Sequence, residues 1–231
     1  MKRKIWKAAL PYTLPVCMGY IFLGIAFGVL MVSGGFHPFW ALLMSICIYA
    51  GSMQFVAVDL LAGPFAPLTA ALMTLMVNAR HIFYGLSMLE RFKICGKLKP
   101  YMMFSLSDET YSLLCSVRVP EGMDKKWFMF FIALMDQLYW IAGTAIGALA
   151  GSLIPFDSTG IDFAMTALFI VIFVEQWEST RNHIPAVLGL AVTLLCLVIF
   201  GPDWFIIAAM AGIFISLTLL RGQLTDGRTG Q

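Results

Sequence analysis

Charge is what this sequence has least of. Asp, Glu, Lys and Arg make up 12% of its 231 residues, about half the share of a soluble domain. No polar stretch is long enough to form a separate soluble domain. The signatures of familiar catalysis are missing as well. There is no GxSxG, no P-loop lysine motif and no HExxH, so ATP binding and hydrolytic chemistry have no motif to rest on. The five cysteines, Cys17, Cys47, Cys95, Cys115 and Cys196, form no CxxC pair, and no Cys/His spacing matches a zinc site. We therefore expect no disulfide, no metal and no cofactor. The first apolar stretch is too long for the core of a leader, and no convincing small-residue cleavage site follows it, so we expect no cleavable signal peptide.

What fills the space is apolar. Hydrophobic residues make up 60% of the chain, and the mean hydropathy is +0.86. The clear segments run over 10–32, 38–61, 65–89, 127–154, 161–177, 184–200 and 204–220, with a weaker, amphipathic one over 100–117. A membrane crossing takes about 20 residues. Backbone polar groups in hydrocarbon must be satisfied within the segment, which forces helices, and no strand-like alternation points to a barrel. The expected fold is an all-α integral membrane protein. It is a polytopic bundle of about six to eight membrane segments forming a single transmembrane domain over 1–231.

The basic residues cluster. Lys2, Arg3, Lys4 and Lys7 open the chain, and Arg91, Lys93, Lys97 and Lys99 form a second group. Beside apolar segments such clusters mark the cytoplasmic face rather than nucleic acid. Three full crossings between the two clusters would put them on opposite sides. A re-entrant segment 38–61, broken near Gly51 and Ser52, resolves the conflict and keeps the N-terminus and the loop 90–99 both cytoplasmic.

Small residues recur at helical spacing in Gly24-x-x-x-Gly28 and in Gly143-x-x-x-Gly147, with Gly151 one step on. This spacing permits close backbone approach, within one subunit or between two. The two runs also hint at a weak inverted repeat with halves 10–89 and 127–200. In it, Gly51-Ser-Met-Gln54-Phe55 corresponds to Val174-Glu-Gln176-Trp177.

Polar groups at membrane depth are costly, and four places carry them. Tyr49-Ala-Gly51-Ser52-Met-Gln54 suits either an unwound helix that binds the charged ends of a zwitterion or a polar helix–helix contact. Asn78-Ala-Arg80-His81-Ile-Phe-Tyr84 gives one helix two polar faces, Asn78 with His81 and Arg80 with Tyr84. Asp108 and Glu109 are acids able to pair with Arg80 or carry a proton, or else to lie solvated at the interface. Asp136 sits deep in an apolar stretch, as a paired structural carboxylate or a proton site, while Glu175, His37 and His183 look like boundary residues.

These runs carry a resemblance. Tyr49-Ala-Gly-Ser-Met-Gln54-Phe55, Val77-Asn-Ala-Arg80-His81-Ile-Phe-Tyr84-Gly85 and Ser107-Asp108-Glu109-Thr110-Tyr111, in that order and spacing, resemble the AzlC/YgaZ family, the large subunits of bacterial branched-chain amino acid exporters. The resemblance implies residence in the bacterial inner membrane and a small hydrophobic AzlD/YgaH-like membrane subunit as partner. It also implies export of valine, leucine or isoleucine, with methionine as a related cargo. With the residues above, it makes Gly51, Ser52, Gln54, Asn78 and Tyr84 the expected substrate contacts. Arg80, His81, Asp108, Glu109 and Asp136 become the expected charge and coupling network. The buried acids fit proton coupling. Two other classes stay open: a membrane-embedded enzyme using Asp108, Glu109 and His81 as acid and base, and a non-transporting scaffold or sensor.

Overall fold

A computed structural model of the chain describes residues 2–153, 166–167, 170, 173–174, 177–178 and 182–220, with backbone alone at 202–204, 206, 207 and 210. Every regular element among these residues is helical. The chain divides into two compact units, Met1–Thr166 and Ala167–Gln231.

The first unit is built on two long helices, α1 (Lys2–Ser33) and α7 (Lys125–Leu153). Both are long and apolar enough to cross a bilayer. They run parallel, and their glycines explain how closely they meet. A Cβ added to Gly24 would lie 2.9 Å from backbone atoms of Trp140 and Thr144, and one on Gly143 would lie 2.6 Å from the Ile21 carbonyl oxygen. Gly28 and Gly147 meet the facing backbone more tightly still. In lipid, where no hydrophobic force drives helices together, dispersion contacts at this range hold the pair. The two small-residue runs are thus spent on each other inside one chain.

Between α1 and α7 lie two helical hairpins. The first is α2 (Pro38–Cys47) and α3 (Gly51–Ala62). It starts beside the end of α1, where Phe36 N–H bonds to Met31 O. It descends until Ser45 meets Thr144 (2.9 Å) and the carbonyl of Ile46 meets Gln137 (3.3 Å). The chain turns at Tyr49, whose φ of +43° is left-handed, a strained choice for a bulky residue. Then α3 climbs back: Phe55 packs on Phe27 (5.7 Å between rings), and Val58 approaches Gly34. At 1.5 Å per residue the two arms span about 15 and 18 Å, half of a hydrocarbon core of about 30 Å. Segment 38–61 is therefore broken and re-entrant, as the basic clusters require.

Helix α4 (Pro67–Met88) then runs in the opposite direction. Its Met88 packs with Ile5, Phe92, Cys95 and Phe128, so the 3-10 turn Arg91–Leu98 lies at the same end as the chain's start. A second hairpin follows, α5 (Lys99–Phe104) and α6 (Asp108–Ser116). It enters from that end. Its turn brings Phe104 to within 6.3 Å of the Tyr49 ring. It returns so that the Leu114 carbonyl accepts from Arg91 (2.6 Å). The weak segment 100–117 is thus two half-helices rather than one helix lying in the interface. The two hairpins enter from opposite ends, and their tips meet midway along α1 and α7.

A long helix followed by a hairpin therefore occurs twice, α1 with α2–α3 and α4 with α5–α6, in opposite orientation. This relation joins 2–62 to 67–116. The repeat expected between 10–89 and 127–200 extends to Glu175 and Gln176, which lie outside the described residues, as does most of segment 161–177.

The second unit contributes α8 (Ile184–Leu219), interrupted at Gly201, where φ is +71°. The break falls between the two apolar segments expected at 184–200 and 204–220. Its first part, Ile184–Gly201, is long and apolar enough to span a bilayer. His183 stacks on Trp177 at 4.1 Å.

Candidate functional site at the hairpin junction

Polar residues of the first unit gather where the hairpin tips meet, between an apolar cluster around Phe92, Met102 and Phe128 at one end and another around Phe27, Met31 and Phe55 at the other. The centre is Arg80 on α4. Its Nη2 forms an ion pair with Asp108 Oδ2 at 2.8 Å and donates to Ser52 Oγ at 2.9 Å. Arg80 therefore touches the first turn of α3 and the first turn of α6 together. Both contacts are made by the single guanidinium nitrogen Nη2, at the far end of the side chain. Tyr84, one turn further along α4, donates to Asp108 Oδ1 at 2.7 Å and stacks on Tyr111 at 4.4 Å. Arg80 and Tyr84 thus share a face, as their spacing predicts. Their common partner is Asp108.

Helix starts carry unpaired N–H groups and a partial positive charge. At α6 these are met locally: Ser107 accepts from Thr110 N–H (3.1 Å), and Asp108 and Glu109 occupy the first turn. At α3 no side chain caps the start. Gly51 and Ser52 therefore open a helix whose first donors point into the junction beside Arg80. The side chains of Arg80 and Asp108 are each about 25% exposed, so the pair can be reached. A groove of about 920 Å³ runs along the first hairpin and the first part of α4, lined by apolar residues such as Trp40, Met44, Met53 and Leu61; Met53 and Asn78 are its lining residues nearest in sequence to Ser52 and Arg80.

The other expected site residues divide into two groups. His81 turns its Nδ1 to the Asn78 carbonyl (3.3 Å) and packs its ring on Tyr84 (5.7 Å), so it shares the Asn78 face and touches neither acid. Gln54 is fully buried. It accepts from Trp140 Nε1 at 2.8 Å and donates to Ser45 at 3.4 Å. Its amide fastens the first hairpin to α7, the polar-contact reading of the two. Asp136 is also fully buried and accepts from Thr110 Oγ1 at 2.8 Å. Glu109 faces away from Arg80 and accepts from Tyr20 at 2.6 Å. His37 caps α2 through Phe39 N–H. Among the described residues no cluster of His, Cys, Asp and Glu is arranged to hold a metal.

Sequence reasoning passed over Tyr20, Ser107, Thr110 and Gln137 as functional groups. Gln137 accepts from Tyr101 (2.7 Å) and donates to Ile46 O, tying the two hairpins to one residue of α7. Tyr20 donates toward both Ser107 and Glu109 from inside an apolar helix. A signal for it existed: a tyrosine hydroxyl buried in a spanning segment needs a partner.

Comparison with known proteins places the chain in a family. Residues 15–154 match the family model described as AzlC protein, which covers both hairpins and the whole junction. The chain is 49% identical over 96% of its length to the branched-chain amino acid transport protein AzlC of Bacillus subtilis, covering 89% of that protein. It is 44% identical over 92% of its length to an uncharacterized membrane protein of Haemophilus influenzae, covering 88% of it. It is 30% identical over 74% of its length to the inner membrane protein YgaZ of Escherichia coli, covering 72% of it. No solved structure matches the chain. With the family model spanning more than half of its residues and with these relatives, this chain is a membrane protein of the AzlC family.

Proposed function

We propose that this chain is the large subunit of a secondary transporter that exports branched-chain amino acids across the bacterial inner membrane, coupled to protons and working with a small AzlD/YgaH-like membrane subunit. The observation that carries the reading is the Arg80–Asp108 pair at the junction of two half-helix hairpins. The name of the Bacillus subtilis relative supplies the substrate class. A zwitterion with an apolar side chain needs three things at membrane depth: a cation with free N–H donors for its carboxylate, an anion for its ammonium, and an apolar wall. Arg80 with the uncapped start of α3 meets the first need. Asp108 meets the second. The groove beside Met53 and Asn78 meets the third. Discontinuous helices whose N-termini point at an anionic substrate group are a recurring transporter device. Transport rather than catalysis also agrees with the relatives' names, and methionine, unbranched but similar in bulk, is a cargo the same groove would take.

Orientation follows from charge. Lys2, Arg3, Lys4, Lys7, Arg91, Lys93, Lys97, Lys99, Arg118, Lys125 and Lys126, eleven of the fifteen Lys and Arg residues, lie in the segments at the end where α1 and α7 begin. The two turns at the other end, 34–37 and 63–66, have none. The basic end is cytoplasmic by the positive-inside rule.

The test is efflux. Cells loaded with a leucine- or valine-containing dipeptide are followed for amino acid release, with and without this gene and its small partner. Release that depends on both supports the reading. Release unchanged by deleting either one overturns it.

A further inference from the structure

A line of hydroxyl groups crosses the junction without touching Arg80. Tyr20 Oη on α1 lies 2.6 Å from Glu109 Oε2 and 2.6 Å from Ser107 Oγ. Ser107 Oγ lies 3.0 Å from Thr110 Oγ1, and Thr110 Oγ1 donates to Asp136 Oδ2 at 2.8 Å. Four short hydrogen bonds thus join two carboxylates on different helices. The ends differ. Glu109 is half-buried, whereas Asp136, Thr110 and Tyr20 are buried. Asp136 has no exposed surface at all, and Thr110 is its one hydrogen-bond partner among the described residues.

We propose that Glu109, Tyr20, Ser107, Thr110 and Asp136 form a proton relay, with Glu109 as the entry and Asp136 as the inner proton store. This deepens the proton-coupling part of the proposed function and rests on it for its biological role. The line allows the transfer once Glu109 is protonated on Oε2 and donates to Tyr20 Oη, the reverse of the bond that its carboxylate accepts. A proton leaving Glu109 Oε2 goes to Tyr20 Oη, whose own proton passes to Ser107 Oγ. The Ser107 proton passes to Thr110 Oγ1, and the Thr110 proton to Asp136 Oδ2. Each hydroxyl ends with one proton, Glu109 ends as carboxylate and Asp136 as acid. Hydroxyls both donate and accept, which is what a relay needs. Rotation of the three hydroxyls then resets the line.

A second observation points to the same place. The hydroxyl of Tyr49, a residue 7% exposed, and the Oδ1 atom of Asp136 have no hydrogen-bond partner among the described residues. Tyr49, at the tip of the first hairpin, faces both carboxylates. Two unpaired polar atoms at nearly complete burial are costly in a site that only holds helices together. They are in keeping with one whose proton changes place. The other titratable groups facing the line are Asp108 beside Glu109, with Arg80 behind it, and Tyr101 and Tyr139 toward Asp136.

The relay predicts kinetics that a static network does not. In the purified full chain, a pH jump is followed by time-resolved infrared difference spectroscopy of the carboxyl bands. Asp136→Asn and Glu109→Gln assign the two bands. Thr110→Val keeps the side-chain shape and removes the link. It should slow the Asp136 response at least tenfold and leave the Glu109 response within twofold of wild type. Thr110→Ser, which restores a hydroxyl, should restore the Asp136 rate. An Asp136 rate unchanged in Thr110→Val overturns the relay, and so does a rate that Thr110→Ser fails to rescue in a folded protein. This measurement needs no substrate. Failure of branched-chain amino acid efflux in cells therefore counts against the transport reading alone, and failure of the infrared result counts against the relay alone.

Discussion

Removing the charge of Asp108 is the most direct perturbation of the junction. Asp108→Asn keeps an oxygen to accept from Tyr84 and removes the partner of Arg80, which sits at 2.8 Å. Two unit charges 4 Å apart attract by about 4 kcal/mol at an effective dielectric of about 20. Stranding one member of a buried pair costs about 3–5 kcal/mol, which the partial exposure of both side chains lowers to about 2–3 kcal/mol. Arg80→Gln with Asp108→Asn leaves no orphaned charge, so the double variant should be more stable than the sum of the single losses by at least about 1.5 kcal/mol. The assay is a double-mutant cycle on detergent-purified protein, read as thermal unfolding and soluble folded fraction. Losses that add to within about 0.5 kcal/mol would refute the pair as an energetic unit. The double variant, folded but without either charge, should still fail to export. Export by it would show that the pair holds helices and does not meet the substrate.

Further outcomes follow from the same geometry. Arg80→Lys keeps the charge but is shorter than the side chain whose Nη2 meets both Ser52 and Asp108, so it should fold and lose at least tenfold in efflux rate, checked by dipeptide-loaded cells. Gly147→Leu forces a side chain into the backbone of Ile25. It should abolish accumulation of folded protein, or cost about 3 kcal/mol or more where it folds, measured by size-exclusion profile and expression level. Single cysteines at Lys4 and Lys97 in a cysteine-free background should resist an impermeant thiol reagent applied outside, and one at Gly63 should react. Labelling at Lys97 but not at Lys4 would refute the re-entrant hairpin.

Much of the fold was legible because a bilayer narrows the choice to helices and because charge marks sides. The break near Gly51 was derived from a conflict between two basic clusters, and the turn at Tyr49 to Gly51 is where it falls. Arg80 and Asp108 were legible for a similar reason: a permanent charge at depth needs an opposite one, and Asp108 and Glu109 are adjacent acids in a half-apolar segment. Tyr20, Ser107 and Thr110 were not. Tyr20 lies 87 residues from Ser107 and 89 from Glu109. Its significance arises only when the parallel pairing of α1 with α7 fixes its height. For Gln54, in a motif beside small residues, the sequence left open a substrate contact or a polar helix–helix contact. The deciding partner, Trp140, stands 86 residues away, and no local pattern couples the two.

The bonds between the hairpins show what a transport cycle would have to break. None of the hydrogen bonds among the described residues joins α2–α3 to α5–α6 directly. Arg80 on α4 links Ser52 to Asp108, and Gln137 on α7 links the Ile46 carbonyl to Tyr101. Each hairpin is otherwise anchored separately, the first through Ser45 and Gln54 to Thr144 and Trp140, the second through Ser107, Thr110 and Glu109 to Tyr20 and Asp136. A carboxylate that competes for Arg80 would first displace the Ser52 bond, a charge-assisted bond worth about 1.5–3 kcal/mol net, which its own bond to the guanidinium replaces. Displacing Asp108 as well would strand a second charge, which an incoming ammonium group would neutralise. On the proposed function, a zwitterion would open the Arg80 link with both charges matched and leave the Gln137 link in place, whereas a simple carboxylate or amine would leave one charge unmatched. On the proposed function, the junction would discriminate by the pairing of its charges, and the apolar groove would be left to sort side chains.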